Sequence, residues 1–197
     1  MLLLRRFAFP AFAALMLLLP ALPVPDFWIT QSNYIGMYSL VAIGLVLLTG
    51  VAGLTSFGQA AFVGVGAYSA AFLAVKMSGS PWLALLVGIA LAVAAAVALG
   101  AITLRMSGHY LPLATIAWGL ALNYTMANME WLGKYDGILG IPTLKIAGWD
   151  LGSGRGLHVL IWAMALVAAL LSTHLLDSRP GRAIRSLKGG ATMAEAM

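Results

Sequence analysis

Few side chains in this chain are suited to chemistry. Three histidines (His109, His158, His174) and six carboxylates stand among 197 residues, and cysteine is absent. Without thiols there are no disulfides, thiol nucleophiles, iron–sulfur clusters or thiolate zinc sites. The histidines do not fall in the His-Glu-x-x-His spacing that sets two imidazoles and a base on one helix face. Asp177 follows His174 by three positions at the end of an apolar run, which is the pattern of a solvated helix end. Neither a Gly-x-Ser-x-Gly elbow nor a Gly-x4-Gly-Lys-Ser/Thr phosphate loop occurs. The residues therefore give no support to a protease, a metalloenzyme or a nucleotide site within the chain, and no cofactor is expected.

The segment that carries most information is polar without being ionisable. It reads Gly53-Leu-Thr-Ser56-Phe-Gly58-Gln59-Ala-Ala-Phe62-Val-Gly64-Val-Gly66-Ala67-Tyr68. Glycine at this density permits a sharp turn or an interrupted helix. Inside a membrane an interrupted backbone is tolerated only where protein or a water-filled cavity covers it, and such breaks line substrate paths in transporters. A tight turn followed by a glycine-packed helix fits the spacing equally well.

The elements that must position this segment are apolar helices. Hydrophobic residues make up 62% of the chain and charged residues 9%, against about 25% charged in a soluble domain. The expected class is all-α, a polytopic transmembrane bundle of about six spans at ~20 residues each. Apolar stretches run over residues 7–22, 34–52, 57–75, 82–104, 110–127 and 157–176. Arg5 and Arg6 before the first stretch resemble a secretory leader, but Pro20, Pro23 and Pro25 stand where a small-residue cleavage site belongs, so a retained helix is expected. A polar outer loop is expected over about 128–156. In the fourth stretch Gly88, Ala92, Ala96 and Gly100 recur every four residues, a small-residue ridge for close helix packing.

Basic residues set the orientation. With both termini cytoplasmic, seven of the eleven Lys and Arg fall inside and four outside. The net charge of +5 is read as this bias rather than as a nucleic-acid footprint. The spans hold almost no ionisable groups, so a drive by protons or sodium is not indicated, and the energy would come from a partner.

The glycine-rich segment resembles the permease subunits of branched-chain amino acid ABC importers of the Liv type, whose pattern is G-x-x-S-x-G-Q/H-A-x-F-x-x-I/V-G-A-Y. Gly53, Ser56, Gly58, Gln59, Ala60, Phe62, Gly66, Ala67 and Tyr68 match it. In the same order, residues 104–110 with Thr115 beyond them resemble the family's L-R-x-x-G-x-Y and its threonine helix. Residues 133–142 resemble its G-G-x-x-G-I-x-G-I-P loop, with Lys134 in place of the second glycine. Residues 178–185 resemble S-x-x-G-R-A-L/I-R, and residues 194–197 resemble A-E-A-L.

The resemblance implies a subunit that imports branched-chain or related amino acids through a bacterial inner membrane. It implies ATP-binding subunits, a second permease subunit and an external solute-binding protein as partners, with ATP hydrolysis in those partners. It places Ser56, Gly58, Gln59, Gly66 and Tyr68 on the substrate path or its packing, and Gly181, Arg182, Arg185 and Glu195 in coupling to the ATPase. The division is a permease domain over 1–176 and a cytoplasmic coupling segment over 177–197. That segment reads as amphipathic: Ile184, Leu187, Ala191 and Ala194 lie on one side and Arg182, Arg185 and Lys188 on another. The chain resembles about the first two thirds of a family member and so reads as a truncated form. A permease for a sugar or urea, or a remnant that no longer transports, are the alternatives.

Overall fold

The computed structural model describes residues 2–103, 106, 110–146 and 149–186, with side chains from Ala8 onward. Arg105, His109, Leu187, Lys188, Ala191, Ala194 and Glu195, all named above, lie outside the described residues. Seven helices are described: α1 (Leu2–Leu18), α2 (Asp26–Leu45), α3 (Gln59–Val75), α4 (Pro81–Thr103), α5 (Tyr110–Asn128), α6 (Gly154–Asp177) and α7 (Arg179–Ser186). A π-turn over Val46–Val51 extends α2. The polar loop after α5 carries two 3-10 turns, Glu130–Leu132 and Lys134–Asp136. It ends in a two-residue antiparallel pair, β1 (Lys145–Ile146) with β2 (Trp149–Asp150).

The class is the expected all-α bundle. Three helices are long and apolar enough to cross a membrane: Asp26–Val51, Pro81–Thr103 and Gly154–Asp177. Apolar helices over Ala8–Ala21 and Gln59–Val75 are shorter. Helix starts follow local chemistry. Pro81 opens α4, where a missing N–H costs nothing. The Ser153 hydroxyl accepts from the Gly156 N–H at 3.1 Å and caps α6. Hydroxyls within the helices donate back to the carbonyl four residues earlier, as in Ser39 to Ile35, Ser69 to Val65, Thr103 to Leu99 and Ser172 to Ala168. A hydroxyl satisfied in this way is tolerated on an apolar helix.

The chain divides into two compact units. The first holds residues 1–53 and 145–197, with α2 and α1 packed on α6. Gly36 lets α2 and α6 approach; a Cβ there would stand 2.7 Å from Ile161 Cγ2. Trp162 is buried, meets Phe12 edge-to-face and donates from Nε1 to the Ser32 hydroxyl at 3.1 Å.

At the end of this unit where α6 begins, a polar clamp fastens α1. Pro20 has no N–H to give the carbonyl of Met16, four residues back. His158, fully buried, reaches that carbonyl with Nε2 at 2.9 Å. Its Nδ1 lies 2.8 Å from Asn33 Oδ1, and Asn33 in turn donates to the Gly154 carbonyl at 2.8 Å. Arg155 donates to the carbonyls of Pro20, Leu22 and Val24 and to the carboxylate of Asp26. The proline-rich turn therefore has its carbonyls answered by two residues one helical turn apart on α6.

The second unit, residues 54–144, packs α3 on α4 and on α5. The expected ridge of α4 faces α3: Ala84 and Gly88 are buried, and Ala92, Ala96 and Gly100 are half-buried. On the other side Leu86, Val93 and Val97 are exposed, which is the ordinary state of a lipid-facing surface.

The clamp predicts that His158→Ala lowers stability by about 1–3 kcal/mol, the cost of stranding a buried carbonyl and amide. Exposed His174→Ala should change it by less than about 0.5 kcal/mol. Thermal unfolding of both variants in detergent checks the difference.

Candidate functional site

The glycine-rich segment interrupts the helix and then continues as a helix with glycine packed against α4. Helical structure stops after Val51 and resumes at Gln59, and Gly53 takes a φ of +74°. Ser56 is buried, and its hydroxyl accepts from the Gly58 N–H at 3.3 Å. The Phe57 N–H donates to Thr115 Oγ1 at 3.1 Å, and Thr115 donates to the Pro112 carbonyl at 2.9 Å. Buried Thr115 thus ties the broken backbone to the second turn of α5. A Cβ on Gly58 would meet Thr115 at 3.5 Å, so the site has room for a methyl group and little more.

Gly66 faces the other way, onto α4. A Cβ there would lie 3.4 Å from Ala92 Cβ, an ordinary contact. The tight position is its partner. A Cβ on Gly88 would stand 2.7 Å from the Gly66 carbonyl oxygen and 3.0 Å from Ala70. Gln59 is half-buried in the first turn of α3.

Tyr68 lines a cavity of about 650 Å³ between α3, α5 and the loop that follows α5, within the ~300–1,000 Å³ of small-molecule sites. Its apolar end is walled by Phe57, Ala60, Gly64 and Ile116, and its polar end by Tyr68, Asn123, Lys134 and Tyr135. Nothing lies within 4 Å of where a Cβ on Gly119 would stand. Of the five residues expected on the path or its packing, Tyr68 alone lines this cavity. Ser56 and Gly58 shape the break at its end, and Gly66 packs helices. The helix α5 was expected, but its part in lining a cavity was not. Its signal was a row at helical spacing (Ile116, Gly119, Asn123, Met126) with one amide among apolar side chains.

The loop after α5 covers the polar end. Gly133, Gly137 and Gly140 all have positive φ, and a Cβ on Gly133 would fall on the Gly137 carbonyl oxygen. A Cβ on Gly137 would lie 3.8 Å from the Tyr68 hydroxyl. Lys134, which replaces a glycine of the resembled pattern, also sits at positive φ (+54°) and pairs with Glu130 at 2.8 Å. Trp131 packs edge-to-face on Phe72 of α3 and pins the loop down.

In the other unit, Ser178 shapes the expected coupling motif. Its backbone is extended between α6 and α7, and its hydroxyl accepts from the Gly181 N–H at 3.3 Å. Gly181 is buried where a Cβ would collide with the backbone of Leu175 and Leu176. Arg182 and Arg185 are exposed on α7, and Ile184 is half-buried.

An apolar helical bundle with three membrane-length helices is the architecture of an integral membrane protein. The family follows from comparison. The model described as "Branched-chain amino acid transport system / permease component" matches residues 27–197, and the chain belongs to that family. It is 29% identical to the high-affinity branched-chain amino acid transport system permease protein LivM of Escherichia coli (strain K12), over 77% of this chain and 41% of that protein. It is 27% identical to the protein of the same name from Salmonella typhimurium, with the same coverage. The chain therefore spans about two fifths of these relatives' length, less than the two thirds expected from the motifs. No solved structure matches it.

The α3–α4 contact predicts that Gly88→Ala destabilises the protein by about 1–3 kcal/mol, as overpacking does. Gly66→Ala should cost less than about 1 kcal/mol. Thermal unfolding of the two variants side by side checks the order.

Proposed function

We propose that this chain is the membrane-spanning subunit of an ATP-driven importer of branched-chain or related amino acids. Its partners would be ATP-binding subunits, a second permease subunit and an external solute-binding protein, in a bacterial inner membrane. The observation that carries this reading is the α3–α5 cavity in a chain of this family: one end is apolar and the other is lined by an amide, two phenols and Lys134. An aliphatic amino acid needs the same pairing of surfaces.

In this proposal transport is alternating access. ATP binding and hydrolysis in the partners moves the segment after α6, and the helices around the cavity shift. Gly181 fixes the angle at which α7 leaves α6, and exposed Arg182 and Arg185 meet the ATPase, with Glu195 further along. Ser56, Gly58 and Gln59 form the break at the inner limit of the path, Tyr68 stands on the path, and Gly66 holds α3 to α4. Residues 1–176 are the permease part, residues 177–197 the coupling segment, and the chain crosses about six times with both termini cytoplasmic.

ATP-dependent uptake of labelled leucine by membranes carrying the chain and its partners tests the function. Uptake of a sugar or urea instead would move the protein to another solute, and membranes that bind the ATPase but take up nothing would mark a remnant. For coupling, Arg182→Glu should reduce ATP-dependent uptake at least about tenfold while leaving the permease in the membrane; unchanged uptake would remove Arg182 from that role. For orientation, an impermeant thiol reagent added outside should label Asp150→Cys and spare Arg182→Cys. The reverse pattern would invert the topology. The native chain has no cysteine to interfere.

A further inference from the structure

We infer that Gly119 and Asn123 set the specificity of the α3–α5 cavity: the open space in front of Gly119 takes the solute's aliphatic side chain, and Asn123 meets its polar end. This rests on the transport reading and assigns the selection to two residues that no motif marks. Gly119 and Asn123 both line the cavity. They stand four residues apart on α5, so they lie on one face and about 6 Å apart along the axis at ~1.5 Å per residue. That separation is the length of an amino acid from its charged groups to the tip of a branched side chain.

The two ends differ in chemistry. Ala60 and Gly64 of α3 also line the cavity. These small side chains leave volume instead of filling it. At Gly64 a Cβ would come within 3.3 Å of Met126 Sδ, so that wall is already closed, whereas Gly119 has nothing within 4 Å. Of the three glycines along this path, Gly58 meets Thr115, Gly64 meets Met126, and Gly119 alone faces open space. Neither the close approach nor the positive φ that explains other glycines in this unit accounts for it; it lies within helix α5 with no positive φ. Glycine within a helix is unfavourable relative to alanine, so the space it leaves is the feature to explain. The outer part is polar, with the Asn123 amide able to donate and accept and Tyr68 beside it.

The test is a graded series, Gly119→Ala, Gly119→Val and Gly119→Leu, in the assembled transporter. Uptake of leucine should fall progressively, by at least about tenfold at valine, while uptake of alanine falls less than about twofold. Asn123→Leu should reduce both alike. Equal loss of leucine and alanine along the Gly119 series, or no loss, would overturn the assignment while leaving amino acid transport intact. Binding is read separately with Gly119→Cys, where a small thiol reagent should react several-fold more slowly in saturating leucine than in alanine. Protection without ATP-dependent uptake would support the site and count against the importer reading. Absence of protection would overturn the site even in a working importer.

Discussion

Backbone that leaves a helix among apolar side chains must find its hydrogen bonds inside the protein, because lipid offers none. Three interruptions in this chain, the last at the start of the proposed cytoplasmic segment, are answered by side chains. After α1, Pro20 frees the Met16 carbonyl and His158 takes it, while Arg155 gathers the carbonyls that follow. Before α3, Ser56 and Thr115 accept from Gly58 and Phe57. Between α6 and α7, Ser178 accepts from Gly181. Each unit is organised around such a point. The clamp on α6 determines where α1 ends, and Thr115 determines where α5 meets the start of α3.

Once the backbone is satisfied, helix packing depends on the absence of side chains. No hydrophobic drive brings helices together in lipid, so contact area must come from close approach. Gly88 allows α4 to touch the Gly66 carbonyl, and Gly36 allows α2 to touch Ile161. Large apolar side chains such as Leu86 and Val97 then fall on the outside, the reverse of a soluble protein. The cavity is a by-product of the same economy: α3 and α5 each contribute a glycine to its lining, Gly64 and Gly119, and only Gly64 is closed by a neighbour.

What could be read in the sequence was whatever depends on neighbours along the chain. Apolar runs placed the helices to within a few residues, except that α2 begins at Asp26, earlier than the run from residue 34, because Ile29 and Asn33 also face α6. The glycine row of α4 and the break at residues 52–58 were equally legible. The clamp was not. His158 meets Asn33 and Met16 across 125 and 142 residues, and nothing local distinguishes it from His174. Thr115 was visible only through resemblance, since its partner Phe57 is 58 residues away. The cavity was missed for a related reason. Its walls are ordinary helix residues, and the informative property of Gly119 is a neighbour it lacks, which spacing does not report.

Lys134 joins these strands of argument. Its left-handed backbone costs a non-glycine residue about 1–2 kcal/mol. The exposed ion pair with Glu130 offsets little of this, since such pairs contribute about 0–1 kcal/mol. Glycine would therefore hold the turn more cheaply, as it does at Gly133, Gly137 and Gly140 in the same loop. What lysine supplies that glycine cannot is a side chain, whose ammonium pairs with Glu130 at 2.8 Å in a residue that lines the cavity. Backbone strain at the rim of a site is the pattern expected when a side chain is kept for what it meets there and not for the fold. The loop thus has two kinds of residue. Its glycines make the turn possible, and Lys134 takes a left-handed backbone there with its ammonium held by Glu130.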